Sequence, residues 1–71
     1  MATVSGGPTI VMLETIVSNG YHLEAGKEGT WIEAGHDWYG RGGRWLGVKC
    51  KFHLGGETHE LVVPKFALKR R

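Results

Sequence analysis

Arg44-Trp45-Leu46-Gly47-Val48-Lys49-Cys50-Lys51-Phe52-His53 is the stretch whose reading decides the fold. Side chains of a strand point alternately to opposite faces. Leu46, Val48, Cys50 and Phe52 therefore share one face, and Trp45, Gly47, Lys49, Lys51 and His53 share the other. An apolar face backed by a mostly polar one is the pattern of a half-buried antiparallel strand. Leu54-Gly55-Gly56-Glu57 follows as a short hairpin turn. Thr58 to Val63 is the next strand, with His59, Leu61 and Val63 on one side. Pro64 ends it, since proline cannot donate to a ladder. Pro64-Lys65-Phe66-Ala67 reads as one turn of 3₁₀ helix that returns Leu68 as a last short strand before a basic tail.

Upstream, Thr9 to Val17 is rich in β-branched residues and reads as a first strand, with Ile10 and Met12 on one face. Ser18-Asn19-Gly20 is a turn signal. Tyr21 to Glu28 is expected as an irregular arm, with Gly26 and Gly29 bracketing a tight turn. Thr30 to Ala34 is a further strand, Ile32 and Ala34 alternating with Trp31 and Glu33. Gly35 to Gly43 is expected as a long, exposed hairpin loop. Met1 to Pro8 is a loose lead-in with no basic start and no long apolar run, unlike a secretory signal. No stretch of ten residues has the period of an amphipathic helix, and there are no internal repeats.

These segments predict one all-β domain over residues 9–71: a small five-stranded barrel with a short 3₁₀ turn before its last strand. Closure suits so short a chain, because it removes exposed strand edges and gives every strand a share in one core. Twelve of the 71 residues are glycine, scattered as turn residues are.

Charge is uneven. Residues 1–37 hold Lys27 against Glu14, Glu24, Glu28, Glu33 and Asp37, one cation against five anions, a net of −4. Residues 38–71 hold eight cations against Glu57 and Glu60, a net of +6. Either the strands interleave so that the signs cancel, or the second half builds a basic face. No apolar run approaches the ~20 residues of a membrane-crossing helix, so no membrane partner is expected. The one cysteine, Cys50, excludes an intrachain disulfide and suits a reducing compartment, which points to the cytoplasm.

The order of parts resembles the SH3-like small β-barrels, including the KOW-type barrels of ribosomal and transcription proteins. The residues that carry the resemblance are Leu23-x-x-Gly26-x-x-Gly29-Thr30, running into a strand, and Val62-Val63-Pro64-x-Phe66-Ala67-Leu68 at the end. It covers residues 9–69. It implies a binding module. The peptide-binding tyrosines of true SH3 domains have no counterpart in the first strand, so the resemblance does not extend to proline-rich peptides.

The segment His36-Asp37-Trp38-Tyr39-Gly40-Arg41-Gly42-Gly43-Arg44-Trp45 concentrates aromatic rings and arginines. Rings stack on bases or fill protein pockets, and arginine forks bind phosphate or carboxylate. Trp38, Tyr39, Arg41, Arg44, Trp45, Lys49 and Lys51 are the candidate ligand-binding residues, with Trp38 or Trp45 alternatively a lid over the end of the barrel. A basic stripe beside aromatics favours RNA or DNA as partner. The same segment could instead be the hot spot of a protein-interaction module, as a subunit or small inhibitor of a larger complex. A homo-oligomer that hides the aromatics is a third reading. No metal or cofactor is expected: Cys50 and His53 fall on opposite faces of one strand, and no zinc spacing is present. No nucleophile elbow or phosphate-binding loop appears, so the chain reads as non-enzymatic.

Overall fold

The structure is a computed structural model and describes residues 7–71. The lead-in expected at residues 1–8 lies outside the described residues except for Gly7 and Pro8. These two are not loose: Gly7 N–H donates to the Trp31 carbonyl, and Trp31 N–H donates to the Pro8 carbonyl at 2.9 Å.

The fold is all-β. The described residues form β1 (Thr9–Met12), β2 (Ile16–Ser18), β3 (Tyr21–Leu23), β4 (Glu28–Gly40), β5 (Gly43–Leu54), β6 (Glu57–Pro64) and β7 (Leu68–Arg70). A 3₁₀ turn, Lys65–Ala67, joins β6 to β7 as expected. Five strands pair antiparallel in the order β6-β5-β4-β1-β7, and β2 and β3 make a separate two-stranded sheet. The five-stranded barrel is thus corrected to seven strands in two open sheets. The physical reason lies between β1 and β4. Leu13-Glu14-Thr15 leaves the ladder, Leu13 N–H donating to the Ala67 carbonyl at 2.7 Å, so the expected long first strand splits in two. Tyr21–Leu23, the first three residues of the expected irregular arm, become β3. Between β2 and β6 the joint is a side chain, not a ladder: Ser18 Oγ donates to the Val62 carbonyl at 2.6 Å.

Three two-residue hairpin turns set the registers. Asn19-Gly20, Arg41-Gly42 and Gly55-Gly56 all have φ between 50° and 85°, the pattern of type I′ turns, whose twist matches that of the flanking strands. The middle turn overturns the expected loop at Gly35–Gly43. That segment stays in the ladder, with Trp38 opposite Trp45 and Gly40 opposite Gly43.

β4 carries the bending. Register shifts fall between Trp31 and Glu33 and between Ala34 and His36, leaving Ile32 and Gly35 as extra residues. Each bulge kinks its strand and reverses the side-chain alternation beyond it. Trp31 and Ala34 therefore oppose Cys50 and Val48, Trp31 packing against the core and Ala34 exposed, and the strict alternation expected for Thr30–Ala34 does not hold. At the other end of β4, Gly29 lies under the Phe52 ring, whose atoms would stand 2.6–2.7 Å from any Cβ there.

Val48, Cys50 and Phe52 of β5 are fully buried and meet Leu61 and Val63 of β6, Ile10 and Met12 of β1, and Leu23 of β3. Leu46 is the exception on that face, 57% exposed. β6 ends with Pro64 opposite Gly47, and β1 reaches β4 only at Glu28–Thr30. Beyond Gly47 no third strand among the described residues pairs with the β4–β5 hairpin, which runs on as an arm, in keeping with a 44 Å long axis against 26 and 20 Å. The ends of the folded chain meet: Arg71 N–H donates to the Thr9 carbonyl at 2.9 Å.

Candidate functional site

Five of the seven sequence-predicted residues sit on the β4–β5 arm, and its ladder sorts them by face. His36, Trp38 and Gly40 oppose Gly47, Trp45 and Gly43 on one side. Asp37 and Tyr39 oppose Leu46 and Arg44 on the other. The arm is thus two-sided, and the candidate residues divide between its sides.

Trp38 is buried, its Nε1–H donating to the Val17 carbonyl at 3.3 Å. Its ring packs as a lid on the core, the alternative the sequence offered for it, and little of it is left exposed. Trp45 stays 41% exposed and anchors its indole N–H on the Gly40 carbonyl at 2.8 Å. Both indoles meet Phe66 of the 3₁₀ turn edge-on, at 6.2 Å for Trp38 and 5.1 Å for Trp45. Edge-to-face contact is the geometry that ring quadrupoles favour. Arg41, at the tip of the arm, lies over the Phe66 ring with its guanidinium carbon 4.9 Å from the centroid, and it also pairs with Glu14. Trp45, Phe66 and Arg41 therefore form one contiguous exposed surface.

The cations distribute differently from the expected stripe. Lys49 lies between two carboxylates, 3.9 Å from Glu33 and 4.0 Å from Glu60. Lys51 stands opposite Thr30 and Glu60. Arg71 pairs with Glu28, and Arg70 lies over Trp31 at 5.5 Å. The strands interleave the two halves of the sequence, so the −4 and +6 halves largely cancel across the sheet. Lys49 and Lys51 follow Trp45 on the same face of β5, four and six residues further along the strand.

Two open clefts flank Val17, Trp38 and Tyr39. One, of about 420 Å³, lies between Thr15–Val17 and Trp38–Arg41. The other, about 370 Å³, is lined by Val17–Asn19, Asp37–Tyr39 and Val62. Cys50 is wholly buried, and desolvation raises its thiol pKa from 9.0 to about 11. His53 is exposed on the far face, its Nδ1 3.0 Å from the Thr58 hydroxyl. Among the described residues no three histidine, cysteine or acidic side chains converge as a metal set, and no helix is long and apolar enough to cross a membrane.

Phe66 is the member of this surface that sequence reasoning missed. Its signal was the proline-initiated turn, which fixes where a ring at the third position of Pro64-Lys65-Phe66 will point. No protein-family model matches this chain, and no curated protein or solved structure shows significant similarity to it.

Proposed function

We propose that the chain is a non-catalytic protein-interaction module of SH3-like arrangement that acts in the cytoplasm. The SH3-like reading is supported by the hairpin after β1, the β4–β5–β6 meander, and the 3₁₀ turn that returns β7 to β1. The observation that carries the functional reading is the Trp45–Phe66 pair: two rings in contact at 5.1 Å, each still more than a third exposed, with Arg41 beside them. Aromatic residues and arginine dominate interface hot spots: the rings offer large area at small cost in rotamer freedom, and arginine offers a planar fork of donors. The type I′ turn and the Trp45–Gly40 bond hold the rings before any partner arrives, which lowers the ordering cost of binding. Capture from native lysate on immobilised wild type, Trp45→Ala and Phe66→Ala is the test. A partner retained by wild type and lost from both variants is expected; equal retention by all three overturns the reading.

A second reading, RNA or DNA, is favoured by Arg44, Lys65 and Lys69, exposed cations without a carboxylate partner among the described residues. It is the weaker one, because Arg41 and Lys49 already face carboxylates. Anisotropy titration of a labelled single strand at two salt concentrations tests it. Affinity that falls steeply with salt supports it, and no binding at low salt removes it.

A further inference from the structure

Among the described residues, no strand is paired over the other side of the arm, opposite the Trp45 surface. Asp37, Tyr39, Arg44 and Leu46 all project there, Tyr39 across from Arg44 and Asp37 across from Leu46. This is the side of β5 that buries Val48, Cys50 and Phe52 further along, carried past the end of the core. It leaves Tyr39 70% and Leu46 57% exposed, the two most exposed large apolar side chains among the described residues. Asp37 and Arg44 are exposed as well, and neither forms an ion pair or side-chain hydrogen bond among the described residues. Arg41, Lys49 and Arg71, by contrast, each have a carboxylate in reach.

We propose that this face joins two copies of the chain about a twofold axis. One acid, one base and two apolar groups on a small patch make a self-complementary set, which is what an isologous interface requires. In such a pair Asp37 of each chain meets the partner's Arg44, and the Tyr39 and Leu46 side chains fill the centre. The charge contacts occur twice, and both reverse together when the patch is turned over. Four side chains cover much less than the ~800 Å² per partner of a standard interface, so the dimer dissociates readily and its population follows concentration. The inference stands on the face opposite the proposed partner surface, so either can fail without the other.

Sedimentation velocity of the full chain over a wide concentration range is the test. Wild type is expected to shift reversibly from monomer to dimer as concentration rises, and Leu46→Ser to remain monomeric. Asp37→Arg alone and Arg44→Asp alone each set like charges against one another and weaken the dimer about tenfold or more. An equimolar mixture of those two variants is expected to dimerise again, because each repulsive contact becomes an attractive one between the two chains. Misfolded chains could not restore one another in this way. Wild type that stays monomeric throughout, a Leu46→Ser dimer as tight as wild type, or a mixture no stronger than its components overturns the proposal.

Discussion

Trp38 and Trp45 stand directly opposite each other in the β4–β5 ladder, and both reach Phe66, yet only Trp38 is buried. The difference comes from β2. The Val17 carbonyl takes the Trp38 indole N–H, while Trp45 has only its own hairpin, through Gly40, to bond to. One indole holds the fold and the other is left for recognition.

Substituting the two indoles should therefore separate stability from binding. Trp38→Ala is expected to cost roughly 3–5 kcal/mol, as truncation of a buried aromatic does, and Trp45→Ala about 1 kcal/mol. Urea unfolding followed by far-ultraviolet circular dichroism measures both. Equal losses would contradict the assignment of Trp38 to the core.

Gly29 is a packing requirement. A methyl group there would sit 2.6–2.7 Å from the Phe52 ring and the Lys51 carbonyl. Gly29→Ala should destabilise by roughly 1–3 kcal/mol through overpacking, even though alanine reduces the freedom of the unfolded chain. A thermal midpoint unchanged from wild type would show that β4 and β5 do not approach so closely.

Ser18→Ala removes the side-chain hydrogen bond donated to the Val62 carbonyl. The expected loss is about 1–3 kcal/mol, the cost of leaving a screened acceptor unmade. Amide hydrogen exchange should speed up in β2 and β3 before it does in β5. Uniform acceleration across all strands would mean that the small sheet does not open separately.

Cys50 makes stability depend on pH in the alkaline range. The unfolded chain loses its thiol proton near 9.0 and the native chain near 11, because burial disfavours the thiolate. Between those values the unfolded state binds fewer protons, so stability present below pH 9 is lost as pH rises toward 11. Wild type should show a steeper fall in urea midpoint across that window than Cys50→Ala. Parallel slopes would rule the thiol out as the source.

Much of this architecture could be read from the chain, and the misses share a cause. β5, β6, the Gly55-Gly56 turn and the 3₁₀ turn after Pro64 are legible because their alternation is unbroken and their punctuation local. β4 was cut short because the bulges at Ile32 and Gly35 break period-two patterning, and because glycines in a ladder look like glycines in a loop. Leu46 has the parity of a core residue, but parity says which way a side chain points and not whether another strand lies beneath it. The candidate site was half legible. Composition located the arm, whereas the burial of Trp38, the pairing of Lys49 and the arrival of Phe66 depend on contacts between residues distant in sequence.

The bond between Arg71 and Thr9 brings the start of β1 beside the end of β7. The path from Thr9 to Arg71 therefore returns to where it started, with its seam between β1 and β7. A short linker could close that seam and new termini could open at Gly55-Gly56 without removing any strand. Tension applied between Thr9 and Arg71 would load that single seam, like a pull on the clasp of a bracelet.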